Sequence, residues 1–207
     1  DTMDPILQWY VDEGRIFKGG SGAGVNLSRV RGSTEKIAGG GTPSGPVSFM
    51  RGADASAGTI KSGGKTRRAA KMVILDVDHP DVEEFIDSKV REEEKARVLR
   101  AAGFDVGLDG RDLFSLQYQN ANNSVRVSDE FMEAVKLGQR YEQRWPVDAI
   151  EPEIVNTDVY AIEVWNALIE GAHASAEPGV LFWDTAKRMT PADIYEHEGF
   201  GSVSTNP

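Results

Sequence analysis

Met72-Val73-Ile74-Leu75 is an unbroken apolar run, and His79-Pro80-Asp81 follows it at the head of a long charged stretch. Such a run, bounded by polar residues, reads as a strand buried on both faces, the kind found in parallel sheets. The charged stretch carries Val82, Phe85, Ile86, Val90, Val98 and Leu99 at helical spacing, which predicts a helix with these residues facing inward to about Ala102. A doubly buried strand feeding a helix is the repeating unit of an α/β fold.

The same alternation extends in both directions. Towards the N-terminus, Asp4-Pro5 reads as an N-cap followed by proline at the first helical position, with Met3, Ile6, Leu7, Tyr10 and Val11 on one face up to Gly14. The turn Gly19-Gly20-Ser21-Gly22-Ala23-Gly24 leads into a predicted strand from Val25 to Val30. Residues 31–41 read as a loop closed by three glycines, and Pro46 to Ile60 as a helix. Towards the C-terminus, Asn122 to Val127 reads as a strand, and Ser128-Asp129-Glu130 cap a helix carrying Phe131, Met132 and Val135. Gly138 to Asn156 is the least regular stretch. Asp158 then reads as the cap of a helix with Val159, Ile162, Trp165, Leu168 and Ile169 on one face. Gly179-Val180-Leu181-Phe182 reads as a short buried strand and Val203 to Asn206 as a last one. No internal repeat or low-complexity linker divides the chain, so it reads as one α/β unit with parallel strands.

Composition narrows the chemistry. The 207 residues are 40% hydrophobic, enough for a sizeable core. Without cysteine there is no disulfide, thiolate metal site or cysteine nucleophile within them. A formal charge of −10 argues against a general nucleic-acid surface, which needs clustered cations. No run approaches the roughly 18 apolar residues of a membrane span, so a soluble, cytoplasmic protein is expected. His79 reads as a turn or capping residue, His173 lies at a helix end and His197 in an acidic stretch. With no His-x-x-x-His spacing, no metal site is expected. The four tryptophans read as core or interface residues.

Two glycine-rich segments come close to nucleotide motifs. Gly58-Thr59-Ile60-Lys61-Ser62-Gly63-Gly64-Lys65-Thr66 has five residues where a phosphate-binding P-loop has four, and it leaves a helix to enter a strand, the reverse of the P-loop context. Gly20-Ser21-Gly22 would need glycine or alanine at position 25 to match the dinucleotide pattern, and Val25 stands there. What survives is a loop with Lys65, Arg67 and Arg68 beside amides that glycines leave uncovered. It suits a phosphate or a ligand sensed by a moving loop. It equally reads as a solvated turn.

Taken in order, several stretches resemble the adenosylcobalamin-dependent (class II) ribonucleotide reductases. They are Phe17-Lys18-Gly19-Gly20-Ser21-Gly22-Ala23-Gly24-Val25-Asn26-Leu27-Ser28, Ser44-Gly45-Pro46-Val47-Ser48-Phe49-Met50 and Ser62-Gly63-Gly64-Lys65-Thr66-Arg67-Arg68-Ala69-Ala70-Lys71-Met72. Asp78-His79-Pro80-Asp81, Asn120-Ala121-Asn122-Asn123-Ser124-Val125-Arg126-Val127, Ala176-Glu177-Pro178-Gly179-Val180 and Ser204-Thr205-Asn206-Pro207 continue the series. The stretch around Asp184 to Gly199 departs from the family's usual forms.

The resemblance implies that residues 1–207 are the N-terminal half of a catalytic domain, part of a ten-stranded α/β barrel entered by a finger loop. In the family a cysteine thiyl radical on that loop abstracts the 3′ hydrogen of a ribonucleotide, and two further cysteines reduce the 2′ position. The resemblance gives Asn206 the catalytic role of holding a ribose hydroxyl. It places Ser21, Gly22, Ala23 and Gly24 beside the substrate, where missing side chains permit backbone approach. Asp1, Thr2 and Met3 correspond to the place where a deoxynucleotide effector is gripped at a homodimer interface. The loop from Ser33 to Gly41, with Lys36, would cover that effector. Lys65, Arg67 and Arg68 lie on the loop that relays effector identity to the substrate. Adenosylcobalamin is the implied cofactor, held mostly by residues outside this chain, with no metal ligand within it.

The chain begins at Asp1 and stops at Asn206-Pro207, where the family continues with the radical cysteine. It is therefore expected to be an internal piece, inactive alone. It could also be an extein segment bordering an intein, or a nucleotide-binding module without chemistry.

Overall fold

The computed structural model describes residues 2–37, 39–60, 70–107 and 110–199. In chain order its elements are α1 (Met3–Lys18), β1 (Ala23–Asn26), α2 (Gly45–Thr59), β2 (Lys71–Asp76), α3 (Val82–Ala101), β3 (Asn122–Val127) and α4 (Asp129–Leu137). They continue with β4 (Arg140–Trp145), β5 (Glu153–Tyr160), α5 (Ala161–Ser175), β6 (Gly179–Phe182) and α6 (Trp183–Met189). Strands β1, β2, β3 and β6 form a sheet in that order, every neighbouring pair parallel. Strands β4 and β5 form a separate antiparallel hairpin.

The apolar run at Met72 sits where a parallel sheet requires it. Val73, Ile74 and Leu75 are fully buried, as is Val125 on the neighbouring β3. Phe85 and Ile86 of α3, Phe131 of α4, and Val164 and Leu168 of α5 complete the same core. Crossover helices cover both faces of such strands, which is why β2 shows no polar alternation. The expected burial of β6 is corrected: it is the edge strand of the described sheet, and Phe182 is exposed.

Other expectations need correction too. Helix α1 begins one residue before Asp4, after the extended Thr2, and runs past Gly14 to Lys18 because Glu13 and Phe17 are buried beneath it. Strand β1 spans Ala23–Asn26 rather than 25–30. On α3, Val98 is 69% exposed. A 20-residue helix is about 30 Å long, whereas a six-residue strand covers about 20 Å, so the end of α3 overhangs the sheet. Ala96 and Leu99 pack there with Val106, Leu113 and Leu116 in a small separate cluster.

The stretch expected to be irregular is the β4–β5 hairpin. Its buried positions on β4 are Tyr141 and Gln143, so half of the inward alternation is polar, and register shifts on either side of Gln143 break the period. Asp158 and Val159 belong to β5 and do not start a helix: Asp158 pairs with Arg140 at 3.0 Å, and α5 starts at Ala161. The buried face of α5 is accordingly Ala161, Val164, Leu168 and Gly171, leaving Ile162 and Ile169 outward. The strand expected at 203–206 lies outside the described residues.

One polar pair is sealed into the fold. Lys71 Nζ donates to Glu13 Oε2 at 2.6 Å, with the two side chains 0% and 6% exposed, and the ammonium stands 4.7 Å from the centre of the Trp9 ring. Burial lowers the Lys71 pKa against the opposing pull of Glu13. Removing one member of a buried pair strands the other charge, whereas replacing both by apolar residues removes the desolvation cost as well. Glu13→Gln is therefore expected to lower the unfolding free energy by about 3–5 kcal/mol, while Glu13→Leu with Lys71→Met stays within about 2 kcal/mol of the parent. Urea denaturation of the two variants beside the parent checks both.

Candidate functional site

The parallel register gives the sheet two polar rims. At the strands' N-terminal rim Ala23 pairs with Lys71, and the Ala23 N–H donates to the carbonyl of Ala70 at 2.9 Å. The glycine turn Ser21, Gly22, Ala23 and Gly24 thus lies against the chain as it enters β2. Ser21 and Gly24 are exposed there and Ala23 is buried. Lys65, Arg67 and Arg68 fall in 61–69, which ends where Ala70 begins, and lie outside the described residues, as do Asp1 and Asn206.

Thr2, Met3, Ser33 and Lys36 belong to the opposite rim. Helix α1 runs alongside α2 in the same sense: the Tyr10 hydroxyl donates to the Phe49 carbonyl at 2.5 Å, and Gly14 meets Ile60. With Glu13 fixed at the N-terminal rim by Lys71, the start of α1 lies about 15 Å back along the helix axis. Gly45, at the start of α2, touches Ser33 and Asp81. The turn at Ser21–Gly24 and the group Thr2, Met3, Ser33 and Lys36 therefore occupy opposite ends of the same strands.

The C-terminal rim carries a network around the turn Asp76-Val77-Asp78-His79-Pro80-Asp81. Asp76 accepts from Arg126 Nε and Nη2 at 2.6 and 2.5 Å and from Asn26 Nδ2 at 3.0 Å. The Arg126 guanidinium stacks on Trp183 at 4.7 Å. Asp78 accepts from Arg144 Nε at 2.9 Å, and the Arg144 N–H donates to the Asp78 carbonyl, which fastens the hairpin to the turn. Burial raises the Asp78 pKa while Arg144 pulls it down. Tyr141, within 3.4 Å of Ser128 Oγ, is pushed up to about 12 by burial. A cleft of about 190 Å³ lies among Asp76, Asp78, Arg126, Tyr141, Arg144 and Trp183.

The same turn reaches the loop from Ser33. His79 Nε2 stands 2.8 Å from the Val30 carbonyl, and the Asp81 N–H donates to His79 Nδ1 at 3.0 Å. The Ser33 N–H lies 3.0 and 2.9 Å from the two Asp81 oxygens, and Ser33 Oγ donates to one of them at 3.1 Å. Beyond Ser33, the Arg31 side chain donates to the Lys36 carbonyl at 3.0 Å and covers the Trp145 ring at 4.6 Å. His79 is thus a turn residue, as its place before Pro80 implied. Trp9 and Trp165 pack on the core, while Trp145 and Trp183 carry arginines.

Asp76, Asp78, Asp81, Arg126 and Arg144 were missed by sequence reasoning. The available signal was three carboxylates and a histidine within six residues at the carboxyl end of a buried strand, where open parallel sheets gather their functional groups. Chemically the cluster holds and orients, since each carboxylate is occupied by a donor. Among the described residues no group of histidine and carboxylate side chains could hold a metal ion. Adenosylcobalamin finds no fit among them either. Both nitrogens of His79 are engaged. The clefts on the described residues run from about 190 to about 620 Å³, within or below the range of drug-sized pockets, about 300–1,000 Å³, and a corrinoid is larger still.

A parallel α/β sheet with polar networks on its strand rims defines the class of the fold. The chain belongs to the ribonucleotide reductase barrel-domain family, whose description, "Ribonucleotide reductase, barrel domain", matches residues 1–198. It is 61% identical over 188 residues to the vitamin B12-dependent ribonucleotide reductase of Streptomyces clavuligerus, covering 91% of this chain and 19% of that protein. It is 31% identical over 209 residues to the vitamin B12-dependent ribonucleoside-diphosphate reductase of Mycobacterium tuberculosis, covering 100% of this chain and 26% of that one. The class Id ribonucleotide reductase alpha subunit of Actinobacillus ureae shares the fold with a TM-score of 0.65 at 17% identity, over 100% of this chain and 29% of that one. The chain thus spans only 19% to 29% of these proteins' lengths. No described helix is long and apolar enough to cross a membrane.

Burial lowers the His79 pKa below its ordinary 6.5, outweighing the charges of Asp81, Asp76 and Asp78 that favour the imidazolium. The neutral ring also satisfies both bonds, Nδ1 accepting and Nε2–H donating. Its contribution is complete above about pH 6.5 and is lost as pH falls from there through the lower folded value, because the unfolded chain then binds the extra proton. Unfolding free energies measured by urea at pH 7.5 and 5.5 should fall more steeply for the parent protein than for His79→Gln.

Proposed function

We propose that the chain is the N-terminal half of the catalytic barrel of an adenosylcobalamin-dependent ribonucleotide reductase, converting ribonucleotides to 2′-deoxyribonucleotides in the cytoplasm. The observation that carries this reading is the 61% identity to the Streptomyces clavuligerus protein across nearly the whole chain. The cofactor would be held by residues of the longer enzyme outside the described ones, where it would supply radical chemistry.

This chain's own part is to bind and orient. In this reading the backbone of the turn Ser21, Gly22, Ala23 and Gly24 approaches the ribonucleotide, and Asn206 holds a ribose hydroxyl. Lys65, Arg67 and Arg68 report effector identity to that substrate. Asp1, Thr2 and Met3 grip a deoxynucleotide effector under the loop carrying Ser33 and Lys36. The start of α1 supports a homodimer at that place: Met3, Leu7 and Val11 are 53%, 51% and 47% exposed and recur every four residues, an apolar stripe that a two-fold partner could bury.

Two outcomes test the reading. Full-length protein with adenosylcobalamin and a dithiol should reduce CDP or CTP, while the 207-residue chain, which has no cysteine, should give no deoxynucleotide under the same conditions. Turnover by the isolated chain, or none by the full-length protein with either substrate, would overturn it. Asn206→Ala in the full-length enzyme removes one positioned hydrogen bond from a dry site. Turnover should drop by about 5- to 150-fold, as a loss of about 1–3 kcal/mol implies, with effector affinity unchanged. Steady-state assays beside equilibrium binding of a deoxynucleoside triphosphate separate the two effects.

A further inference from the structure

We propose that Asp81 is a positioning residue for effector recognition, its carboxylate clasping the loop from Ser33 to Gly41 at its base in the shape that receives the ligand. The inference rests on the assignment of that loop to the effector.

Both ends of the loop converge on this one carboxylate. At the entry, three contacts join Asp81 to the N–H and hydroxyl of Ser33 across 48 residues of sequence. At the exit, Gly45 has φ +73°, and a Cβ there would lie 2.5 Å from Asp81 Oδ2 and 3.0 Å from Ser33 Cβ. Only glycine lets α2 begin so close to the carboxylate. Next to Ser33, a Cβ on Gly32 would meet Asp81 Oδ1 at 3.3 Å and Pro80 Cβ at 3.1 Å. His79 completes the clasp: it accepts the Asp81 N–H and donates to Val30, just ahead of the loop.

Burial gives the clasp its strength. Asp81 is 4% exposed, and among the described residues no lysine, arginine or histidine forms an ion pair with it. The carboxylate therefore depends on Ser33 for its donors. A displaced loop would leave a buried anion without them, so the closed arrangement is favoured without any ligand. Above the clasp the restraints are lighter: Gly32 N–H to Glu35 Oε1 at 2.7 Å, Arg31 to the Lys36 carbonyl, and the Arg31–Trp145 stack. A loop fixed at its base and loosely held at its tip can present Lys36 to different deoxynucleotides while keeping one register. Binding to a loop already in place also avoids the entropy of ordering it.

The test uses the full-length enzyme and equilibrium binding of each of the four deoxynucleoside triphosphates. Asp81→Asn keeps the size but turns one acceptor into a donor facing the Ser33 N–H. The dissociation constant of the triphosphate that binds the parent most tightly should rise about tenfold, the effect of losing one or two hydrogen bonds to a charged acceptor. Effector-dependent choice among the four substrates should blunt in step. Effector-free turnover and substrate KM should stay within about twofold, a separation that general loosening of the fold would not produce. Gly45→Ala, which presses on the clasp from the other side, should give the same pattern and carries the test if Asp81→Asn does not fold. Lys36→Ala reports on the loop assignment itself. If Lys36→Ala weakens effector binding while Asp81→Asn and Gly45→Ala leave it unchanged, the clasp is refuted and the loop assignment stands. If all three leave it unchanged, the assignment fails and the clasp with it. Parallel loss of effector-free turnover and effector affinity in both clasp variants would reduce Asp81 to a structural residue and overturn the proposal.

Discussion

Asp76 and Arg126 are paired positions across β2 and β3, and the bidentate bridge between their side chains is the constraint from which the C-terminal rim is built. The bridge fixes where β2 ends, and so where the turn through Asp78, His79 and Asp81 begins. Asn26 of β1 donates to the same carboxylate. Its Oδ1 accepts the Ser28 N–H, and Ser28 Oγ accepts the Asp76 N–H, so three strands finish in one closed circuit. Trp183 stacks on the outer face of the guanidinium and brings in the chain beyond β6. Planar, forked and always charged, arginine can meet a carboxylate with two nitrogens and an indole with its face, which lysine cannot do. Losing either member of such a part-buried pair would strand the other, and the turn that carries Asp78 and Asp81 would lose its anchor.

The N-terminal rim is held by different means. There the Glu13–Lys71 pair lies under the Trp9 ring and joins a helix to the first residue of the central strand. Glu13 Oε1 and Trp9 Nε1 are buried without protein partners, so this joint is less completely satisfied than the circuit around Asp76. An incompletely satisfied buried pair carries a high desolvation cost and little spare stability. One rim thus closes a circuit around a single carboxylate. The other is held by the Glu13–Lys71 bridge beside the glycine turn and, at the start of β3, by Glu177, which accepts the Asn123 N–H and pairs with Lys89.

How much of this was legible in the sequence follows from how each element is stabilised. The run at Met72–Leu75 announced β2 because a central parallel strand buried on both faces selects apolar residues throughout, and Val125 and Val127 marked β3 among polar neighbours. Ser128 announced α4 because its hydroxyl does what an N-cap must, accepting from the Phe131 N–H. The β4–β5 hairpin was hidden because Gln143 fills an apolar slot, its amide oxygen accepting from Asn156 at 3.3 Å. Asp158 misled because a residue suited to capping was serving as the cross-strand partner of Arg140. The glycines at 19–24 were legible as a turn, and β1 does begin within them at Ala23. The carboxylates at 76, 78 and 81 were not, because their meaning lies in partners from 48 to 66 positions away that only the crossovers bring near.

The division between rims constrains any communication along the molecule. In the proposed assignment the effector residues and the substrate turn sit at opposite ends of β1, a strand of four residues that is pinned to β2 at Ala23↔Lys71 and Asn26↔Ile74. A strand held in register by a ladder of backbone hydrogen bonds cannot slide without breaking all of them, so β1 is a poor transmitter. The helices α1 and α2 are better placed. Both run from the C-terminal rim to the N-terminal rim, they touch at Tyr10 and Phe49 and again at Gly14 and Ile60, and α2 ends where 61–69 begins. Packed helices shift as rigid bodies by small sliding steps that keep their internal bonds. A change at the base of the loop, where Gly45 opens α2 against Asp81, therefore has a continuous rigid path to Ile60. The Glu13–Lys71 bridge sets how far α1 can follow.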